Sequence, residues 1–147
     1  MIHRIYLIAL VCIVLGCAAQ KKGTGHTRTR PVVFLDEETY LLTEKTSDVS
    51  YGFSRQHPVK VGSTGGGPRN ERRFLNALLG PNGEPVQYYR AGSCCPFRTP
   101  NGLLDNTGLL DHYRVSWSGA ADTLSIYINM YDEGDLFIPV GFTAKAP

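Results

Sequence analysis

The sequence lacks several features that define special classes of protein. Its longest apolar run, Ile5–Leu15, has 11 residues, which is short of the roughly 20 residues that a membrane-spanning helix needs. No internal repeat is visible, and 42% hydrophobic with 19% charged residues is an ordinary globular composition. The length of 147 residues therefore favours one domain, and collagen, low-complexity disorder and a multi-spanning membrane protein are excluded.

Acidic residues are absent from the first 31 positions, which contain five Lys and Arg residues. From Val32 to Pro147 the balance reverses to 10 basic against 13 acidic residues, although the whole chain has a formal charge of +2. A basic leader therefore precedes an acidic body of 116 residues. An acidic body disfavours nucleic acid as a partner.

The basic leader has the pattern of an export signal. His3 and Arg4 precede the apolar run, whose length is typical of a signal-peptide core. The run leads into Val14–Cys17, which resembles a bacterial lipobox, where the cysteine is diacylated and becomes the new N-terminus. The sequence thus predicts a lipoprotein signal peptide over residues 1–16 and lipidation of Cys17, and this covalent lipid is the only cofactor expected. The alternative is a buried helix or short membrane anchor that contains Cys17.

Residues 17–31 are expected to form a lipidated, flexible, basic tether. Ala18–Pro31 has no apolar side chain larger than alanine and cannot bury enough surface to offset its ordering entropy. Its basic residues could contact anionic lipid head groups. The expected location is the cell envelope, with the outer membrane favoured where the cell has one, because Ala18 stands where an aspartate would suggest inner-membrane retention. The expected partners are the membrane, through the lipid anchor, and an envelope protein or small ligand.

Residues 32–147 are predicted to form a single α+β domain, in which one short amphipathic helix packs on an antiparallel sheet of about four to six strands. Asn70 is the expected helix N-cap, and Gly80 followed by Pro81 ends the helix. The apolar face consists of Phe74, Leu75, Leu78 and Leu79. Other apolar segments are candidate strands: Val32–Leu35, Tyr40–Leu42, Val59–Val61, Val86–Arg90 and Leu136–Phe142.

A β-hairpin near the C-terminus is the clearest structural prediction. Leu109–Ser118 and Thr123–Tyr131 both alternate apolar and polar residues with the period of a strand. A loop over residues 119–122 would pair Trp117 with Leu124. The solvent face of this hairpin predicts a candidate binding patch or acid/base pair, the alternative being an ordinary polar sheet face. The patch residues are His112, Arg114, Tyr127 and Asn129.

Cysteine is scarce, with four in the chain. Cys12 leaves with the signal and Cys17 is lipidated, so the adjacent Cys94 and Cys95 remain. Export places them in an oxidising compartment, but adjacent Cα atoms lie about 3.8 Å apart, closer than the roughly 4.4–6.8 Å of an ordinary disulfide. Three interpretations stay open: structural thiols, a vicinal disulfide that acts as a redox switch or ligand platform, and metal or catalytic use.

The glycine-rich loop before the helix is a candidate anion or ligand site. Backbone N–H groups and basic side chains at a helix start can hold an anion. Neither nucleotide-binding glycine signature is present, and the alternative is a flexible loop with a capped helix. The candidate residues are Gly65, Gly66, Gly67, Arg69, Arg72 and Arg73. No metal site is expected, since the acidic turn Asp132–Asp135 lacks the ligand spacing of a calcium loop.

Four strings resemble a family of small bacterial lipoproteins of uncharacterised function: YGF from Tyr51, NERRFLNALLGPNG from Asn70, GSCCPF from Gly92 and SIYINMYDEGDLFIPVGF from Ser125. Some members carry the name 2-dehydro-3-deoxyphosphooctonate aldolase. Enzymes properly so named resemble β/α barrels, a fold that needs about 200 residues or more. The body is too short for that fold, so the sequence favours a non-catalytic binding or structural module of the cell envelope. The competing hypothesis is a thiol-dependent redox protein that uses Cys94 and Cys95.

Overall fold

A computed structural model describes residues 25–147. The predicted signal peptide over residues 1–16, Cys17 and the start of the tether lie outside the described residues. Within residues 25–147, no helix combines the length and the apolar character that crossing a membrane requires. The elements in chain order are β1 (Phe34–Asp36), β2 (Thr39–Tyr40), β3 (Val59–Lys60), α1 (Gly67–Ala77), β4 (Leu78–Leu79), β5 (Val86–Arg98), β6 (Thr107–Trp117), β7 (Leu124–Asn129) and β8 (Thr143–Ala144).

The main sheet has four strands in the order β3-β7-β6-β5. β5, β6 and β7 are antiparallel neighbours, whereas β3 pairs with β7 in parallel. Two small antiparallel pairs, β1 with β2 and β4 with β8, lie outside it. The predicted α+β class, with one short helix on a largely antiparallel sheet, is confirmed.

The C-terminal hairpin forms, but its predicted register is wrong. Leu124 pairs with Val115 rather than with Trp117, and Ile126 pairs with Tyr113. The shift is two residues. A shift of two leaves every side chain on its own face of the sheet, so hydrophobic alternation cannot distinguish the two registers.

β5 is longer than the segment Val86–Arg90 predicts, because it continues to Arg98 and pairs with β6 over its length. It forms one edge of the sheet. The pairing is interrupted between Arg90 and Gly92 and again between Cys94 and Pro96. β-Bulges, a proline and a charged side chain are devices that discourage edge strands from pairing with other chains.

The helix begins at Gly67, not after Asn70, and ends at Ala77. A proline in the first turn fits this earlier start, because the first helical N–H groups have no partner within the helix. Asn70 instead donates from its buried side chain to the carbonyl oxygens of Gly62 (3.1 Å) and Thr64 (2.9 Å). It therefore fixes the glycine-rich loop against the helix.

The hydrophobic core lies between the inner face of the sheet and the helix. Phe74 and Leu75 of α1 pack there with Val115, Ile126 and Ile128. These five side chains are buried. The predicted strand Leu136–Phe142 does not form: it contributes an isolated bridge between Ile138 and Lys45, and β8 follows it.

Residues 25–31 pack along the body as an ordered N-terminal arm. The Arg28 N–H donates to the Glu133 carbonyl (3.1 Å), and the Thr29 N–H and hydroxyl donate to Asp135 (2.9 and 2.7 Å). The last seven residues of the predicted tether, residues 25–31, thus contact the body in this structure. The rest of the predicted tether lies outside the described residues.

Candidate functional site

Cys94 and Cys95 form a vicinal disulfide in edge strand β5. Their Cα atoms lie 3.7 Å apart. Cys94 pairs with Leu110 and Pro96 with Leu109, so Cys95 is left without a partner in the bulge. The Cys95 backbone has φ 58°, the left-handed region that L-residues with a side chain rarely adopt. The interpretation as two free structural thiols does not describe this structure.

A buried carboxyl pair is formed by residues of α1 and of β6, the strand that pairs with β5. Glu71 on α1 is 0% exposed, and its Oε2 accepts a hydrogen bond from the Tyr113 hydroxyl (2.8 Å). Burial, followed by the neighbouring Asp111 carboxylate, raises the pKa of Glu71 to about 8. Its other oxygen, Oε1, has no hydrogen-bond donor. Glu71 therefore favours its protonated form at neutral pH.

Asp111 is the ionised member of this pair. The Arg90 guanidinium donates two hydrogen bonds to it, both of 2.7 Å, and the Ser93 hydroxyl donates a third of 2.8 Å. Burial opposes its ionisation, but the hydrogen bonds from Arg90 and Ser93 outweigh burial and lower the pKa of Asp111. We call Glu71, Arg90, Ser93, Asp111 and Tyr113 the carboxyl cluster. Its Ser93 directly precedes the vicinal disulfide in the chain.

The sequence contains a signal for the carboxyl cluster that the predictions above do not use. Glu71 lies three, four and seven residues before Phe74, Leu75 and Leu78, so it belongs to the apolar face of the helix rather than to its solvent face. Asp111 likewise lies two residues before Tyr113 and four before Val115, so it belongs to the same inward face of the strand. A carboxylate on the inward face of the helix and another on the inward face of the strand together indicate a buried acidic pair.

The candidate polar-face patch assembles in part. The His112 ring stacks on Tyr127 with centroids 5.0 Å apart, and its Nε2 lies 2.9 Å from the Ser125 hydroxyl. Arg114 donates to the same hydroxyl (2.7 Å). Burial and the positive charges of Arg114 and Arg55 lower the pKa of His112, so its imidazole is neutral at pH 7.

Asn129 is separated from this patch by its own hydrogen bonds. Its side chain is buried and donates to Asp132 (3.0 Å), while its Oδ1 accepts from the backbone N–H groups of Tyr131 (2.8 Å) and Asp132 (3.0 Å). Asn129 therefore shapes the turn after β7. The remaining patch residues are His112, Arg114 and Tyr127. They form a small surface that carries a neutral imidazole and a guanidinium group.

The three arginines that follow the glycine-rich loop do not converge on one site that could hold an anion. Arg69 forms an ion pair with Glu38, and Arg73 lies over the Phe34 ring (5.0 Å) and donates to the Glu37 carbonyl (2.8 Å). Arg72 is exposed. Gly65 and Gly66 have positive φ, and a Cβ on Gly67 would lie 3.0 Å from Met130. Gly65 and Gly66 thus permit the left-handed turn of the loop, and Gly67 permits its close approach to Met130.

The structure also brings together three residues that the sequence predictions omit. The Ser50 hydroxyl and the Asp48 carboxylate lie 2.7 and 3.1 Å from the same ring nitrogen, Nδ1, of His57. A catalytic triad needs the hydroxyl and the carboxylate on opposite imidazole nitrogens. This group is therefore a polar turn and not a nucleophile relay, and two of its members, Asp48 and His57, line a cavity of about 410 Å³.

Among residues 25–147, no group of three or more His, Cys, Asp or Glu side chains is placed to hold a metal ion. Comparison with protein-family models, with curated proteins and with solved structures finds no match to the chain. The function must therefore be argued from the residues themselves. The vicinal disulfide and the carboxyl cluster beside it are the features that call for a chemical explanation.

Proposed function

We propose that the chain is an exported, lipid-anchored binding module of the cell envelope. The observation that carries this proposal is the Cys94–Cys95 disulfide in the body. Disulfides persist in oxidising compartments outside the cytoplasm. That location agrees with the signal peptide predicted over residues 1–16 and with lipidation of Cys17.

The edge strand β5 supplies the proposed binding surface. Closing the Cys94–Cys95 ring removes rotational freedom from both residues, and a rigid surface loses less entropy when it binds a partner. Tyr89 on the same strand is 62% exposed and offers an aromatic contact. The proposed partner is an envelope protein or a small ligand that recognises this strand.

The anchor is tested by comparing the full-length chain with its Cys17→Ser variant in cells labelled with palmitate. We expect the parent chain to carry label, to gain the mass of its acyl chains and to fractionate with membranes. A Cys94→Ser/Cys95→Ser double variant is the matched control, and it should keep the label. A Cys17→Ser chain with unchanged mass and membrane fraction would refute the anchor.

The binding surface is tested by placing a photo-crosslinking amino acid at Tyr89 of the anchored protein. The matched control is Val49, which is 74% exposed but lies outside β5. We expect a discrete adduct from position 89 and none from position 49. Equal or absent adducts at the two positions would contradict a binding role for β5.

A second candidate function is thiol–disulfide exchange, favoured by the left-handed backbone of Cys95. A dithiol reductant would transfer two electrons and two protons to the Cys94–Cys95 bond, giving two thiols while the reductant becomes a disulfide. Thiol trapping of the full-length protein in cells tests this. A fraction of reduced Cys94 and Cys95 that rises when more dithiol reductant is supplied supports exchange. A pair that stays oxidised under all these conditions supports the rigid binding surface.

A further inference from the structure

The loop that joins β5 to β6, residues 99–106, exposes two adjacent leucines. Leu103 and Leu104 are each 79% exposed. They are the most exposed large apolar side chains among the described residues. Two neighbouring leucines held in water at the end of a hairpin indicate a surface that meets an apolar partner.

Hydrogen bonds within the loop define a conformation in which both leucines are exposed. The Thr99 N–H donates to the Asn106 carbonyl (2.9 Å) and closes the base of the loop. The Thr107 N–H donates to the Leu104 carbonyl (2.8 Å), and Arg98 donates to the Asp105 carbonyl (2.8 Å). These hydrogen bonds join the two ends of the loop and leave Leu103 and Leu104 at its exposed tip.

The N-terminal arm begins at the base of this loop. A Cβ placed on Gly25 would lie 2.9 Å from the Thr99 hydroxyl. Leu103 follows Thr99 by four residues, so their Cα atoms are at most about 14 Å apart. Gly25, the described residue nearest to Cys17 in the chain, therefore lies at the same end of the body as the exposed leucines.

The length of chain between Cys17 and Gly25 limits how far this end can lie from a lipid anchor. Eight residue steps span at most about 29 Å. Lys21 and Lys22 fall within this stretch, and basic residues beside a membrane are attracted to anionic lipids. A lipid on Cys17 would thus hold the base of the leucine loop within a short distance of the bilayer.

We propose that loop 99–106 is a second membrane contact, which inserts Leu103 and Leu104 into the interfacial region of the lipid bilayer. This inference rests on the proposed lipid anchor at Cys17. Burying two exposed leucine side chains in the bilayer strengthens membrane binding by about tenfold for each leucine. The loop contact also orients the body, because the anchor and the leucine tip together define two points of attachment.

The test replaces Leu104 by Trp in the full-length protein and reconstitutes it in vesicles of phosphatidylcholine and phosphatidylglycerol in equal amounts. We expect lipids with brominated acyl chains to remove most of the added indole emission. Val49→Trp is the matched control for an exposed apolar position and should keep its emission. Trp117 is present in every variant, so the parent protein provides the baseline. Leu103→Trp repeats the measurement at the neighbouring position.

Mass measurement of the same preparation reports the acyl chains separately. An acylated protein whose added indole is not quenched overturns the loop contact and leaves the anchor intact. A non-acylated protein whose indole is quenched overturns the anchor and supports the loop contact. An indole that lipid does not quench, but that is protected from a water-soluble quencher, shows that a protein covers the tip and also overturns the loop contact.

Discussion

Replacing Glu71 by Gln is expected to stabilise the protein at neutral and alkaline pH. Glu71 is 0% exposed and its pKa is raised to about 8, mainly by burial and then by the charge of Asp111. Gln has nearly the same shape, can accept the hydrogen bond from Tyr113 and can donate one to Asp111. The variant therefore keeps the contacts of the protonated carboxyl and removes its ionisation.

The magnitude follows from proton linkage. A carboxyl whose pKa is higher in the folded than in the unfolded state binds its proton more tightly when folded, so the free energy of unfolding falls as pH rises through that window. For Glu71 the window runs from 4.5 to about 8. The slope is roughly 1.4 kcal/mol per pH unit, which gives a cost of roughly 3 kcal/mol at about pH 7.

Urea unfolding of parent and Glu71→Gln protein, followed by Trp117 fluorescence, measures the difference at several pH values. We expect the two proteins to be similarly stable near pH 5 and to diverge progressively toward about pH 8. Glu37→Gln removes the same charge from a side chain that is 93% exposed, and serves as the control. Parallel stability curves for parent and Glu71→Gln across this range would refute the protonated buried carboxyl.

Three further predictions concern β5, β6 and the loop that joins them. Arg90→Ala leaves the buried Asp111 without its guanidinium and should lower the free energy of unfolding by about 2 kcal/mol; an unchanged urea midpoint would contradict the pair. Gly102→Ala would place a Cβ 2.4 Å from the Thr107 backbone. It should cost roughly 1–3 kcal/mol and lower the melting temperature, and an unchanged value would show that the loop can adjust. The His112 ring, whose pKa burial lowers, should titrate by NMR below the ordinary value of 6.5, and a midpoint above it would contradict the structure.

The sequence predicts the faces of the sheet better than its pairing. Alternation in β6 and β7 correctly assigns His112 and Arg114 to one face and Val115 to the other, because side-chain direction depends only on local strand geometry. The register depends on the loop between the strands, and a two-residue shift changes no face. The sequence pattern could therefore not exclude the register that forms.

The ordered arm and the carboxyl cluster depend on contacts between distant parts of the chain. Thr29 and its neighbours have the composition of a tether, and their binding to Asp135 becomes visible only when the fold brings the two segments together. In the predicted helix, which starts after Asn70, Glu71 falls in the first turn and has an ordinary local explanation in the helix dipole, whereas the helix that forms starts at Gly67. Its burial against Asp111 depends on which side of the helix meets the sheet.

The N-terminal arm also constrains the order in which the protein can fold. Thr29 and its partner Asp135 are 106 residues apart in sequence. A chain that is made from its N-terminus cannot form this contact until nearly all of it has been synthesised, and contacts of such long range form late because loop closure costs entropy. Docking of the arm is therefore a marker of complete folding. Chains that are truncated before Asp135 would leave the segment around Thr29 open to proteases.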